Sequence, residues 1–254
     1  MSETIDKTLS VATKSHYESL VGELGVGYLD YRWNNNPISR SHYRQTKASV
    51  DFALGRLAGT VERMLEIGCG PGTWTDLCLK RARQLTVVDI STEMLKVLAE
   101  RFPAAGIEAR CGDFGSDDVA FERSFDVIFS VRALEYMDSK AAVIGKCARL
   151  LAPGGHLIII TKSPRWMDKK KEESAGDVIQ SGWIDWADLE GLYRDSGLDR
   201  VETFPVCLGS YYFPWSTHLG IKVCDLLQRN LYRKRIGGPF ESFAESFMTI
   251  GVKR

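Results

Sequence analysis

The twelve residues MLEIGCGPGTWT, Met64 to Thr75, decide how this chain folds. An apolar run stops at Gly68, and glycines recur at 70 and 72 with Pro71 between them. A short buried strand that meets a glycine turn is the handover from a parallel strand to its crossover helix. Without Cβ atoms the turn can be tight, and a ligand can lie directly against the backbone. In an open α/β sheet such a handover sits at the carboxyl ends of the strands, where ligands bind.

Working outward, aliphatic and β-branched runs at 63–67, 85–88, 125–129 and 156–161 are too brief for helices, and turn residues follow each. They are expected to be buried parallel strands. Helical patterns lie between them. Residues 91–102, STEMLKVLAERF, open on cap-type residues and place Met94, Leu95, Leu98, Ala99 and Phe102 on one face. Residues 139–151 place Val143, Cys147, Leu150 and Leu151 at helical spacing and are expected to stop at Pro153-Gly154-Gly155. Parallel neighbours need a crossover helix, so the alternation implies a doubly wound, Rossmann-like α/β sheet. Farther on, a helical pattern at 186–196 leads into an apolar run at 201–207, and a last strand-like stretch covers 247–252.

A chain of 254 residues that is 44% apolar and 26% charged can bury one sizeable core. Its 33 basic and 33 acidic residues cancel, so no global field attracts nucleic acid or an anionic membrane. Cysteines 69, 78, 111, 147, 207 and 224 form no CxxC pair, which argues against a disulfide framework or a zinc site; no metal is expected. The opening MSETIDKTLS lacks the basic start and apolar stretch of a signal peptide, and no run approaches the ~18 apolar residues of a membrane span. A cytoplasmic protein is expected.

Asp89 ends the second strand about 20 residues beyond Gly68, the spacing at which a carboxylate accepts from ribose hydroxyls. The crevice therefore suits a nucleoside. The third glycine comes one position early for the G-x-G-x-x-G loop that cradles a pyrophosphate, and no G-x-x-x-x-G-K-[ST] string occurs. An NAD-type oxidoreductase on the same sheet remains as an alternative.

The ordered strings LEIGCGPGTWT, VVDISTEML, CGDF at 111–114, FDVIFSVRALEYM at 125–137 and LLAPGGHLIII at 150–160 resemble the successive motifs of class I S-adenosylmethionine-dependent methyltransferases. Within that family they are most similar to the small-molecule branch of ubiquinone and menaquinone methyltransferase type. The likeness covers roughly 60–162, with weaker echoes at 183–207 and 247–252. It implies a seven-stranded, mostly parallel sheet with the last strand antiparallel. It also implies one domain, 1–254, built of a helical cap at 1–60, a cofactor-binding core at 61–163, and a C-terminal half at 164–254 with a lid insert near 208–246.

The resemblance assigns roles. Gly68, Gly70 and Gly72 would pass under the methionine portion and ribose of S-adenosyl-L-methionine. Glu66 would place the cofactor's ammonium, Asp89 the ribose diol, and Met94 would pack on adenine. Asp113 would take the adenine amino group, with Phe114 covering the ring, and Ser130 would face the methionine moiety. Arg132 falls where this branch varies, so its role stays open. Against these stand plainer readings: a turn, a satisfied carboxylate, a helix cap, a core methionine.

Methyl transfer from a sulfonium is a one-step in-line displacement that mainly needs the acceptor held close, aligned and dry. A hydroxyl acceptor gains from a general base. His42 and His218 lie where the family builds its substrate wall and are the candidates; Glu135, Tyr31 and Tyr211 stay undecided, and His156 reads as structural. The implied activity is methyl transfer to a small organic acceptor, oxygen favoured, in making a specialised metabolite, quinone or glycolipid, with S-adenosyl-L-homocysteine as product. An inactive relative serving as a binding protein is the second alternative.

Two elaborations frame the core. Tyr28, Tyr31, Trp33, Tyr43 and Arg44 suit a lid over an apolar or aromatic acceptor, and Asn34-Asn35-Asn36-Pro37 marks a turn. Lys169-Lys170-Lys171-Glu172-Glu173 reads as a solvated loop. The C-terminal insert carries Leu219, Val223, Leu226, Leu227 and Leu231 on one expected helical face, opposite Lys222, Asp225 and Arg229, and ends in Tyr232-Arg233-Lys234-Arg235. It reads as a lid helix, or as a basic amphipathic element touching a membrane or a lipid-like substrate.

Overall fold

The computed structural model describes residues 7–116, 119–164, 182–208, 217–231, 233–236 and 244–254. The Lys169–Glu173 run, Tyr211 and Tyr232 lie outside them.

Seven strands form one sheet in the order β3-β2-β1-β4-β5-β7-β6. They are β1 (Val61–Ile67), β2 (Ala82–Asp89), β3 (Glu108–Cys111), β4 (Phe125–Val131), β5 (Leu151–Lys162), β6 (Leu198–Leu208) and β7 (Ala244–Lys253). The first five are parallel, while β7 runs antiparallel to both β5 and β6. The expected sheet with its antiparallel last strand is therefore present.

Period-2 alternation sends side chains to two cores. Met64, Phe129 and Ile158 face one side with Val50 and Leu54 of α2 (Pro37–Gly55) and Leu77 of α3 (Thr75–Leu79). Leu65, Ile128 and Ile159 face the other with Ile144 of α5 (Lys140–Leu150) and Tyr193 of α6 (Trp186–Asp195). Both strand faces are covered, which is why the runs read as continuously apolar.

Local chemistry sets the boundaries. Ser91 caps α4 (Thr92–Arg101) by accepting from the Met94 amide, and Ser139 caps α5 by accepting from the Ala142 amide. Asn36 caps α2 with Pro37 at its first turn. Two expectations need correction. The α5 helix ends at Leu150, and Pro153-Gly154-Gly155 lies inside β5. The register shifts between Phe125 and Val127 opposite this segment, and Gly154 takes a φ of 77°, so the strand absorbs the break as an irregularity.

The second correction concerns α7 (Thr217–Leu231), which packs on α2 and β6. Its buried face is Ile221, Cys224 and Gln228, whereas Leu219 and Leu226 are 59% and 61% exposed. Polar contacts rotate the helix away from its leucine stripe. Asp225 accepts from Ser41, Gln45 and Arg44 of α2, and Gln228 donates to the Pro205 carbonyl. Among the described residues no helix is long and apolar enough to cross a membrane.

Candidate active site

Strand order reverses between β1 and β4, and at their carboxyl ends opens a crevice of about 140 Å³. Ile67 to Pro71 floor it, Asp89 and Ile90 follow from β2, Asp113 and Phe114 from the turn after β3, and Val131 to Ala133 from the end of β4. Ser10, Thr13 and Tyr17 of α1 (Lys7–Leu24), with Arg32 and Trp33 of a π-helical turn at 30–34, form the opposite wall.

The three glycines differ in their reasons. Gly68 has a φ of 67°, and a Cβ there would lie 2.1 Å from the Cβ of Ala133. Its bareness lets the segment after β4 close against the end of β1. Gly70, at a φ of 53°, lines the crevice beside the Met94 sulfur. Gly72 is bare because a Cβ would meet Phe102 at 2.6 Å, and it does not line the crevice.

Asp89 both lines the crevice and braces it. One carboxylate oxygen accepts from the Gly70 amide at 2.8 Å and the other from the Ser91 amide at 3.0 Å. Burial raises its carboxyl above the usual range, and these backbone donors resist that rise. Met94, Asp113 and Phe114 also line the crevice; Asp113 accepts from the Gly115 amide at 2.7 Å. Glu66 and Ser130 sit behind it. Glu66 is 1% exposed, accepts from the Thr75 hydroxyl at 2.7 Å, and is pushed by burial to about 8. The Ser130 hydroxyl donates to the Ile67 carbonyl at 3.0 Å, tying β4 to β1.

A second polar group begins where Arg132 forms part of the crevice wall. Arg132 follows β4 with a φ of 61°, and its Nη2 lies 3.2 Å from Glu245 of β7. His42 of α2 places Nε2 3.2 Å from the other oxygen of Glu245. Burial would raise the Glu245 carboxyl, but His42, Arg132 and Lys162 overcome it and hold it at about 2. Burial lowers the His42 imidazole below its ordinary value, while Glu245 pulls it back up. Glu135 stands nearby, fully buried, accepting from the Thr161 hydroxyl at 2.8 Å. Neither His42 nor His218 lines the crevice, and His218 is exposed near the start of α7.

Several wall residues escaped the sequence reading. Tyr17 of α1, Arg32 of the π-helical turn and, beside Arg132, Glu245 of β7 carry no local motif and come in from remote chain positions. The Tyr17 hydroxyl donates to that of Tyr136 at 3.0 Å, and Ser10 donates to Asp138 at 2.9 Å, which fastens α1 over the site. Of the expected lid residues, Tyr28 and Trp33 are buried, while Tyr31 is 51% exposed and Arg44 is taken up by Asp225. Among the described residues no group of three His, Cys, Asp or Glu side chains is placed to hold a metal ion.

Residues 65–159 match the family described as a methyltransferase domain. A ubiquinone biosynthesis O-methyltransferase of Xanthomonas oryzae pv. oryzae is 28% identical over 131 residues, which span 51% of this chain and 55% of that protein. The chain thus spans about half the length of the curated relatives it matches. A possible histamine N-methyltransferase from Thermotoga maritima superposes with a TM-score of 0.62 at 17% identity, covering 94% of this chain and 100% of that one. The N-methyltransferase NodS of Bradyrhizobium japonicum, solved with S-adenosyl-L-homocysteine, gives 0.59 at 19% identity, covering 93% and 97%. Motif order, sheet order and crevice agree with these matches: residues 65–159 carry a segment similar to a methyltransferase domain, on the fold shared by the class I S-adenosylmethionine-dependent methyltransferases.

Proposed function

We propose that this protein transfers a methyl group from S-adenosyl-L-methionine to an oxygen of a small organic acceptor. The observation that carries the reading is the crevice at the strand reversal, floored by the bare Gly68–Gly70 backbone and braced by Asp89. Its chemistry fits the cofactor: Asp89 for the ribose hydroxyls, Met94 and Phe114 for the adenine faces, Asp113 for the exocyclic amine, and Arg32 as a cation for the carboxylate. Glu66 and Ser130 support the floor from behind rather than touch the ligand. The bound sulfonium supplies an activated methyl group.

This chain's residues orient the acceptor, exclude water and move one proton. The cap at 1–60, through α1 and the π-helical turn, shields the crevice from solvent. His42 is the general base. Its Nε2 lies 3.2 Å from the Glu245 carboxylate, and burial favours the neutral ring that can accept the acceptor proton. As the acceptor oxygen takes that methyl group, its hydroxyl proton would pass to His42. This His–Glu pairing favours oxygen over nitrogen or carbon, and the O-methyltransferase relatives agree with it.

A thermal-shift panel tests the reading. S-adenosyl-L-homocysteine should stabilise the fold and NAD should not. Stabilisation by NAD alone would move the protein to the oxidoreductase class, and binding neither would leave an inactive relative.

A further inference from the structure

Arg132 carries three marks that the cofactor reading does not use. First, it is a non-glycine residue at a φ of 61°, in a region that L side chains occupy at a cost and that clusters at functional sites. Its backbone is held there by donation of its amide to the Ile160 carbonyl at 2.8 Å, so the conformation is enforced by the sheet. Second, its side chain is only 8% exposed, yet Arg132 forms part of the crevice wall. Third, only Nη2 is engaged, by Glu245; Nε and Nη1, which together carry three N–H groups, are buried without an acceptor. Buried donors in native proteins are almost always paired, and a guanidinium is the group best shaped for oxyanions.

We infer that the free donors of Arg132 receive an anionic oxygen of the methyl acceptor, so that the acceptor class is an aromatic or aliphatic acid or an acidic hydroxyl bound as its oxyanion. This inference rests on the methyltransferase reading and deepens it. The groups around Arg132 are Glu245 of β7, Glu135 after β4, His42 of α2, Lys162 of β5 and Cys207 of β6. Glu245 satisfies one end of the guanidinium, and Glu135 is bound to Thr161 on the neighbouring strand. Lys162, half-buried with its ammonium 5.2 Å from the Trp183 ring centroid, is a second basic group nearby, its charged form disfavoured by burial. An acceptor hydroxyl placed here would ionise more readily and hand its proton toward His42. The two sources of the oxyanion, carboxylate and ionised hydroxyl, share this chemistry.

The test uses the full chain saturated with S-adenosyl-L-homocysteine and two kinds of probe. The first is 4-nitrophenol, whose ionised form is coloured. Bound 4-nitrophenol should ionise about one pH unit or more below the free compound, as expected beside a buried cation. Benzoate should displace it and benzamide should not; displacement by benzoate assigns the subsite to carboxylates, and an ionisation shift without it assigns the subsite to acidic hydroxyls. Arg132→Asn, chosen because Asn tolerates a positive φ, should abolish the shift while homocysteine-product affinity changes by less than about threefold. Where that variant unfolds, Arg132→Asn combined with Glu245→Gln removes the pair together and serves instead. An unshifted probe, no probe binding at millimolar concentration, or a shift retained in the variants overturns the inference. So does a loss of S-adenosyl-L-homocysteine affinity of about tenfold on replacing Arg132, which would make it a cofactor ligand. Failure of the unmodified protein to bind S-adenosyl-L-homocysteine fells the parent reading as well, and so is told apart from failure of the oxyanion site alone.

Discussion

Glu66 on β1 and Glu245 on β7 are 1% and 6% exposed, and they titrate in opposite directions. Glu66 has one hydroxyl partner, Thr75, and burial pushes it to about 8. Glu245 faces His42 and Arg132 and, with Lys162 adding to them, is held at about 2 despite the same desolvation. Burial disfavours charge in both, so the neighbours decide. The two ends of the site are accordingly different solvents. The β1 end is a neutral cradle of backbone amides and hydroxyls; the β7 end is a buried ionic network.

The largest expected effect breaks the network. Arg132→Asn should destabilise the fold by about 3–5 kcal/mol, because it leaves the Glu245 carboxylate buried without its guanidinium partner. Adding Glu245→Gln should recover most of that loss in chemical denaturation. No recovery would show that Arg132 matters for packing rather than charge.

Next comes the cradle. Gly68→Ala combines a left-handed backbone with a Cβ placed 2.1 Å from that of Ala133, and should cost about 3 kcal/mol along with most cofactor affinity. A variant of unchanged melting temperature would contradict this tight closure of the loop after β4 on β1. Smaller again, Asp89→Ala should weaken S-adenosyl-L-homocysteine binding by about 1.5–3 kcal/mol in titration calorimetry, with the chain still folded. Unaltered affinity would reduce Asp89 to a brace for Gly70.

The subtlest effect sharpens the contrast through pH. A carboxyl raised to about 8 stays protonated in the folded state after the unfolded chain has ionised, near its ordinary 4.5. Glu66 therefore contributes a stability that declines as pH climbs from about 4.5 to about 8, by at most about 1.4 kcal/mol per unit. Glu245 works the other way. Its contribution is complete above 4.5 and is lost as pH falls toward about 2. Glu66→Gln should change stability at pH 5 by less than about 1 kcal/mol and flatten only the upper limb of the stability profile. Flattening of the acid limb instead would reverse the assignment of the two carboxyls.

Much of the cradle was legible in sequence order, because a βα unit brings its functional residues together within one short stretch. The Gly70 amide donates to Asp89 and the Gly68 amide to the Val88 carbonyl at the end of the adjacent strand, and Met94 follows on the next helix. The ionic network was not. Arg132 and Glu245 are brought together only because β7 returns antiparallel beside β5, and His42 arrives on α2 from the far side of the chain. The face of α7 misled for a related reason: its leucine periodicity is real, but Asp225 and Gln228 bond to α2 and β6 and set the rotation.

The order of apolar runs, caps and glycines thus determined by itself the sheet, its crossovers and the place of the crevice, since these depend on periodicity and backbone conformation that each segment carries locally. Which way each buried acid titrates, and which cation faces Glu245, was decided only in the folded protein. Coulomb energy depends on distance through a low-dielectric interior, and distance between remote residues exists only once the strands are paired.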